Sequence, residues 1–151
     1  MDAQKYLSEI KGKFPGVTEI PAEKQKDGIP ALLCPATSIF EIVKYLKTEG
    51  VNFLMNLCAT DYKEYFEVIY HLHSLETKVK LALKVKLPQE KPEVSSITPL
   101  HAGADWQERE AFDLLGINFP GHPNLKRILL PLDWEGHPLR KDYYRKPDQY
   151  D

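Results

Sequence analysis

The sequence contains few cysteines, the residues that cross-link small proteins through disulfides and bind many metal clusters. Its 151 residues include only two cysteines, Cys34 and Cys58. Each lies in an apolar run with no second cysteine nearby, so the pattern gives little support to zinc or iron–sulfur ligation. A chain of this length buries roughly 70% of its unfolded surface and needs no covalent staple. We therefore expect two small buried side chains in a reducing compartment.

Long hydrophobic runs and a strong net charge are also missing. No uninterrupted apolar stretch approaches the roughly 20 residues that span a bilayer. The net charge is −2, with 42% hydrophobic and 28% charged residues, and this balance gives no general drive towards nucleic acid or anionic lipid. The first residues have the features of neither a signal peptide nor a transit peptide. We expect a protein that is cytosolic, or attached to a membrane only through partners.

Hydrophobic periodicity predicts two helices in the first part of the chain. Apolar residues at helical spacing indicate a short helix over residues 3–14. A second helix is expected to begin after Ser38, because Ser38 and Glu41 have the spacing of a capping box, in which each side chain satisfies a free backbone N–H. Gly50 is well placed to end that helix.

Alternating and short apolar runs predict a sheet. The strand candidates are residues 17–20, 31–34, 51–58, 65–73 and 79–87. The last three alternate apolar and polar residues, as antiparallel strands with one wet face do. The predicted class is α+β, a mostly antiparallel sheet with helices packed on one face, over residues 1–98. Residues 99–151 are expected to add a capped helix and an irregular C-terminal tail to the same domain unit.

The added helix carries a cluster of charged residues. Asp105 and Glu108 fit an acidic capping box at its start, and Gly116 follows its end. Asp105, Arg109 and Asp113 are spaced by four residues, which predicts a salt-bridged ladder along one helix face. The alternative is general acid–base chemistry. A small enzyme would use the carboxylates of this helix: Asp105, Glu108, Glu110 or Asp113.

Two copies of Gly-His-Pro follow, at residues 121–123 and 136–138. Glycine permits backbone angles that other residues avoid, and proline holds the histidine before it in an extended conformation. Each copy therefore predicts a defined bend, with the ring of His122 or His137 bonded to backbone. A histidine-centred metal site is the alternative. Its candidate ligands are His71, His73, His101, His122 and His137.

The C-terminal residues mix basic and aromatic side chains, a combination that also occurs in nucleic-acid-binding proteins. Six lysines and arginines follow Gly121, but five carboxylates nearly cancel them. We therefore expect no nucleic acid partner. A bent tail rich in Arg, Tyr and Trp is more typical of a protein–protein interface, where these residues are favoured anchors.

The same segment resembles a known protein family. The matching residues are Glu108-Arg109-Glu110, Asp113, Gly116-Ile117, Phe119, Gly121-His122-Pro123, Leu125, Arg127-Ile128-Leu129 and Gly136-His137-Pro138-Leu139-Arg140-Lys141-Asp142. This pattern is similar to that of the C subunits of NADH:quinone oxidoreductase (complex I), also called the 30-kilodalton subunit family. Several fixed spacings over some forty residues make chance a poor explanation.

The resemblance implies a structural subunit of the peripheral arm, with no catalysis by this chain alone. It implies that the chain packs against the D subunit, the quinone-site protein related to hydrogenase large subunits, with its C-terminal segment along that partner. Iron–sulfur clusters, flavin and quinone are then held by partner subunits, iron–sulfur subunits among them. The implied position is peripheral, on the cytoplasmic face of the cell membrane, with no membrane span of its own.

The resemblance also implies roles for individual residues. The scaffold or interface residues that it implies are Glu108, Arg109, Glu110, Asp113, His122, Arg127, His137, Arg140, Lys141 and Asp142. Homologous subunits serve in related assemblies, so the parent complex stays open at this point. The alternatives are membrane-bound hydrogenases, formate hydrogenlyase-type complexes and ferredoxin- or coenzyme-F420-linked dehydrogenases.

Overall fold

The computed structural model describes residues 3–144 and confirms the α+β class. Its helices and longer strands lie within a few residues of the predicted positions. The elements in chain order are α1 (Ala3–Lys13), β1 (Thr18–Glu19), β2 (Ala31–Leu33), α2 (Ile39–Thr48), β3 (Phe53–Asp61), β4 (Tyr65–His73), β5 (Lys80–Pro88) and α3 (Ala104–Leu115). Short 3-10 helices precede β2 and α2, at Ala22–Lys24 and Ala36–Ser38.

The strands form one five-stranded sheet in the order β1-β2-β5-β4-β3. Neighbouring strands are antiparallel, except that β2 runs parallel to β5. A parallel pair needs a long crossover connection, and α2, β3 and β4 together provide it. The sheet is therefore mixed, with β1 and β3 as its edges.

The core lies on one face of this sheet. Phe66, Val68, Tyr70 and Leu72 of β4 are fully buried and alternate with residues that point to the other face. Buried side chains of α1, α2 and α3 join the same hydrophobic cluster. All three α-helices therefore cover one face, as predicted, and the opposite face, here called the outer face, has no α-helix over it within the described residues.

Strand β3 departs from the predicted alternation. Its pairing with β4 shifts register between Leu54 and Asn56, so that Met55 forms an irregularity of the β-bulge kind. Val51 and Leu57 are buried, but Phe53 and Met55 are 46% and 40% exposed. The alternation predicted over residues 51–58 would place these four residues on one face. This prediction is wrong, because a bulge moves the side chains before it out of phase.

Neither predicted capping box is present. Ser38 is the residue before α2, but it ends a 3-10 turn in helical geometry, and its side chain makes no cap hydrogen bond. Helix α3 begins after Gly103, without a side-chain cap at its start. At the other end the prediction holds: Gly116 has a positive φ of 76°, and its N–H donates to the carbonyl of Phe112.

The two cysteines differ in environment. Cys34 is buried, and burial raises the pKa of its thiol to about 12. Cys58 is exposed on the outer face, opposite Ile69, which corrects the expectation that both are buried. Within residues 3–144, no helix is long and apolar enough to cross a membrane.

Candidate partner-binding site

The chain after α3 forms an irregular segment that runs back along this helix. We call residues 121–144 the C-terminal strap. It contains no helix or strand and changes direction at two glycines, Gly121 and Gly136, which have φ values of 91° and 83°. These are the glycines of the two Gly-His-Pro sequences, and each bend needs a backbone angle that other residues rarely adopt.

His122 anchors the first bend to the start of α3. Its Nε2 lies 2.9 Å from a side-chain oxygen of Asp105 and 3.1 Å from the Asp105 carbonyl oxygen. Its Nδ1 accepts the N–H of Asn124 at 2.9 Å, so Nε2 carries the hydrogen and donates. The ring is fully buried and holds the bend in the way predicted from the motif.

Arg109 fastens the next part of the strap. Its Nε donates to the carbonyl oxygen of Lys126 at 3.1 Å, and its Nη2 donates to that of Arg127 at 3.0 Å. The guanidinium has several donors in a rigid fork, which suits two consecutive carbonyls. Arg109 therefore contacts the strap backbone.

Asp113 is the centre of the attachment. It is fully buried, and one of its oxygens accepts the consecutive N–H groups of Ile128, Leu129 and Leu130 at 3.1, 2.7 and 3.0 Å. The other oxygen lies 2.7 Å from Nη1 of Arg127. A buried carboxylate is tolerated when all its acceptor sites are filled in this way.

These bonds decide the ionisation of Asp113. Burial by itself would raise its pKa, but Arg127 and the three backbone N–H groups outweigh burial and hold the pKa below its usual value. The group is therefore an ionised anchor at neutral pH. It has no proton to donate as a general acid.

Arg127 joins two parts of the strap to the helix. Besides Asp113, its Nη2 donates to the carbonyl oxygens of Trp134 at 2.9 Å and Gly136 at 2.7 Å. Its Nη1 also reaches the backbone carbonyl of Asp113 at 2.9 Å. One side chain thus closes the loop between the two Gly-His-Pro bends.

The second bend lies against the end of α3. Nδ1 of His137 donates to the carbonyl of Asp113 at 2.9 Å, and Nε of Arg140 donates to that of Leu115 at 2.6 Å. These are carbonyls at a helix end, which have no partner within the helix. Burial, followed by the charges of Arg127 and Arg140, lowers the pKa of His137 in spite of the Asp113 bond.

Asp61, at the end of β3, holds the last part of the strap. Its Oδ2 accepts the N–H of Lys141 at 2.9 Å, and its Oδ1 accepts from Lys63 and Gln89. Burial acts to raise the pKa of Asp61, but these hydrogen bonds lower it overall. Sequence reasoning missed Asp61. Its only local signal is an aspartate that closes a strand and turns the chain at Lys63.

Glu108 points into the protein and away from the strap. It is fully buried, and it accepts the hydroxyl of Ser96 at 2.7 Å and the N–H of Ile97 at 2.8 Å. Burial raises its pKa above the usual value even though both bonds act to lower it. Glu108 therefore fixes the connection between β5 and α3, and Ser96 is a second residue that sequence reasoning did not identify.

The predicted salt-bridged ladder on α3 does not form. Asp105 pairs with His122, Arg109 with strap carbonyls, and Asp113 with Arg127. Each charge finds a partner in the strap, where the bonds are partly buried. An i,i+4 pair within a helix contributes only a few tenths of a kcal/mol, so the bonds to the strap prevail.

The alternatives of catalysis and metal binding have little geometry to build on. Three of the four candidate carboxylates are engaged as described above. Glu110 is exposed at the rim of a cleft of about 230 Å³ between β3 and α3, which Gln107, Leu114 and Leu139 also line. Among residues 3–144, no three His, Cys, Asp or Glu side chains are placed to hold a metal ion.

The strap presents apolar side chains to solvent. Leu129, Leu132 and Leu139 are 61%, 73% and 58% exposed. We call these three residues the strap leucines. The backbone N–H of Leu129 is bonded to Asp113 and that of Leu139 to the carbonyl of Leu114 at 2.9 Å, while much of each of the three side chains faces solvent. Trp106 of α3 and Tyr144 are exposed as well, and Lys141 and Asp142 lie at the surface.

Comparisons with known proteins agree on one family. The family model described as "Respiratory-chain NADH dehydrogenase, 30 Kd subunit" matches residues 32–149. The C subunit of NADH-quinone oxidoreductase from Moorella thermoacetica is 45% identical over 141 residues, which are 91% of this chain and 93% of that protein.

Two further comparisons extend this result. The C/D subunit of NADH-quinone oxidoreductase from Methylococcus capsulatus is 38% identical over 144 residues, which cover 87% of this chain but only 24% of that protein. A solved structure of Nqo5, described as the trypsin-resistant fragment (1-134), matches with a TM-score of 0.71 and 30% identity. It covers 81% of this chain and 98% of the fragment.

Proposed function

The chain belongs to the 30-kilodalton subunit family of respiratory-chain NADH dehydrogenases, and from this premise we propose a specific role for it. It is a non-catalytic structural subunit in the peripheral arm of a complex I type NADH:quinone oxidoreductase. It docks on the quinone-site protein, the D subunit, and the C-terminal strap provides the contact surface.

The observation that carries this proposal is the way in which the strap is held. The charged side chains that attach it point inwards and bond to backbone, as Asp113, Arg127 and Arg140 do. The side chains that point outwards include the strap leucines. A fixed irregular backbone with exposed apolar side chains is suited to bind a partner, because little conformational entropy is lost on docking.

The choice of the D subunit as the partner has its own support. The relative from Methylococcus capsulatus carries the combined name C/D, and this chain corresponds to about a quarter of it. A single polypeptide that contains both segments keeps the two at high effective concentration. Separate polypeptides would need a specific interface to reach the same arrangement.

The proposal places the redox chemistry in other subunits. Iron–sulfur clusters, flavin and quinone are assigned to the partners, among them the iron–sulfur subunits. The chain itself is assigned a peripheral position on the cytoplasmic face of the membrane, reached through those partners. Related hydrogenase, formate hydrogenlyase or ferredoxin- or coenzyme-F420-linked complexes would use the same surface towards their own large subunit.

A binding measurement with two surface substitutions tests the interface. Leu129→Gln together with Leu132→Gln removes two exposed apolar side chains without adding charge near Asp113. If both leucines are buried on docking, affinity for a separately expressed D subunit should fall on the order of a hundredfold. Isothermal titration calorimetry or size-exclusion chromatography measures this.

The matched control is Leu75→Gln. Leu75 lies in the turn between β4 and β5, outside the strap, and is 56% exposed. The substitution therefore makes the same chemical change at a surface position that the proposed interface does not include. Affinity should be unchanged. Equal loss in both proteins, or no loss in the double variant, would show that the D subunit does not bind through the strap leucines.

A further inference from the structure

The outer face of the sheet has a groove of its own, on the side opposite α3. It has a volume of about 420 Å³ and lies between the β1 edge and the turn that joins β3 to β4. The side chains that give it its character are Lys24, Lys84, Lys86, Tyr62 and Tyr65. We call it the basic groove.

The residues that line the groove carry a net positive charge. Lys84 and Lys86 point outwards from β5, and Lys24 lies on the other wall. Two carboxylates also line it. Glu19 is already paired with Lys11 of α1 at 2.8 Å, and Glu67 is only 7% exposed, opposite Lys86 on the neighbouring strand. An approaching ligand therefore meets more positive than negative charge.

One wall of the groove is fixed by ring contacts. The rings of Tyr62 and Tyr65 lie 5.4 Å apart, and Nζ of Lys86 lies 4.6 Å from the centroid of Tyr65. Such contacts restrict side chains that would otherwise be free at a surface. This contact favours one position of Lys86 before any ligand arrives.

The chain already places one carboxylate on this face. Asp27, in the loop before β2, lies 3.4 Å from Nε2 of His71, which points outwards from β4. Ala82, which pairs with His71, is a small residue and only 2% exposed. The loop before β2 therefore lies over the outer face, where the Asp27 carboxylate contacts the imidazole of His71. This contact is further along β4 and β5 than the basic groove.

We propose that the basic groove binds an acidic, extended segment of a partner subunit. Lys84 and Lys86 are two residues apart on one face of a strand, so their side chains are spaced by about 6.7 Å. Carboxylates at every second position of an extended peptide have the same spacing. The binding is electrostatic and polar, and none of the strap leucines lines the groove.

An NMR titration of the labelled full-length chain tests this inference. The probe is a capped hexapeptide in which glutamate and serine alternate, with the lysine–serine peptide and inorganic phosphate as comparisons. The glutamate peptide should shift amide signals of residues 18–24, 62–67 and 84–86. Lys84→Glu with Lys86→Glu should weaken its binding about tenfold, because two attractions become repulsions.

Two matched variants separate specific binding from bulk charge. Lys44→Glu with Lys91→Glu makes the same change in net charge at two exposed sites away from the groove, and it should leave the affinity unchanged. Lys84→Arg with Lys86→Arg keeps the charges and should bind as the natural chain does. Both results together would assign the effect to the position of the two lysines.

Other outcomes would overturn the inference. Shifts spread over both faces of the sheet, or equal weakening by both charge-reversal variants, would mean unspecific attraction. Phosphate that shifts the same amides as strongly as the peptide would mean a small-anion site. The Leu129→Gln, Leu132→Gln variant should bind the peptide normally, so failure of the groove and failure of the strap interface can be told apart.

Discussion

Asp113 shows how one buried carboxylate can hold an irregular segment in place. It binds three consecutive N–H groups of the strap with one oxygen and Arg127 with the other. These partners are more than a dozen residues after Asp113 in the chain, and without Asp113 each would lose a hydrogen-bond acceptor. One ionised carboxylate therefore fixes residues 127–130 of the strap.

The variant Asp113→Asn tests this role. An asparagine amide cannot accept hydrogen bonds at both ends, so either Arg127 or the N–H groups of residues 128–130 must lose a partner. We expect the free energy of unfolding to fall by about 3 kcal/mol, as when a buried ion pair is broken. Urea denaturation measures the change.

The pH dependence of the free energy of unfolding gives a second test, because the pKa of Asp113 is lowered in the folded chain. A group of this kind contributes stability above its unfolded pKa of about 3.9 and loses it as the pH falls through the folded value. The loss of stability below pH 4 should be smaller in the variant. Glu110→Gln on the same helix is the control and should change stability by less than about 0.5 kcal/mol.

Glu108 gives the opposite pH dependence. Burial raises its pKa, so protonation stabilises the folded chain, and this stability is lost as the pH rises through the folded pKa. Glutamine can still accept the N–H of Ile97 and can donate to Ser96, so Glu108→Gln should cost less than about 1 kcal/mol at pH 7. Relative to the natural chain, its stability should decline from pH 7 to pH 5. A constant difference would contradict this account.

At the scale of elements, the end of α3 and the second bend of the strap fit together through one glycine. Gly116 has a φ of 76°, and a Cβ there would lie 2.6 Å from Nη2 of Arg140 and 2.7 Å from Cδ2 of His137. Glycine is therefore required at this position for two reasons. It permits the left-handed angle that ends the helix, and it leaves room for the strap to cross the helix end.

Gly116→Ala should destabilise the chain and loosen the strap. The left-handed angle alone costs about 1–2 kcal/mol for a residue with a Cβ, and His137 and Arg140 must also move. Thermal denaturation should show a lower midpoint, and limited proteolysis should cut near the second bend sooner. Gly12→Ala in α1, where a Cβ would meet nothing, should be neutral or stabilising; equal behaviour of the two variants would contradict the fit.

Removal of the strap is a less informative experiment than the sequence suggests. From the sequence alone, deletion of residues 120–151 should leave the domain folded. In the structure, the deletion would remove partners of Asp61, Arg109 and Asp113 together. Loss of binding in such a chain could follow from altered helix packing, so the surface variants at Leu129 and Leu132 are the better choice.

Local patterns in the sequence were sufficient for the elements and insufficient for their long-range pairs. Strands β4 and β5 follow from alternation and the end of α3 from Gly116, because these signals act over a few residues. The predicted ladder on α3 was wrong because its charges pair with the strap instead. The partners of Arg109, at Lys126 and Arg127, stand far along the chain, where spacing gives no information.

Contacts between distant residues also decide the strand order of the sheet and the role of Glu108 near the start of α3. That β2 lies parallel to β5 depends on which distant strands meet, and the sequence has no local mark for it. Glu108 has the spacing of a capping residue, yet it binds Ser96 and Ile97, which the tertiary fold brings to it. The bends at the two Gly-His-Pro sequences could be predicted, because glycine and proline act on their own backbone.

The folded chain presents two candidate surfaces. The helices cover one side of the sheet, and the strap is bonded to α3 and to the end of β3, with its leucines exposed to solvent. The basic groove lies on the other side. A small chain with one apolar and one charged surface can join two partners, as the proposed role requires.

Affinity purification of the tagged chain from native membranes, with its partners identified by mass spectrometry, tests the proposed subunit role. The natural chain and Leu75→Gln should recover a quinone-site protein of the D type and iron–sulfur subunits in equal yield, and Leu129→Gln with Leu132→Gln should lose them. A hydrogenase-type large subunit in their place would identify a related parent complex. Recovery of the natural chain alone, under conditions that keep such complexes intact, would contradict the structural role.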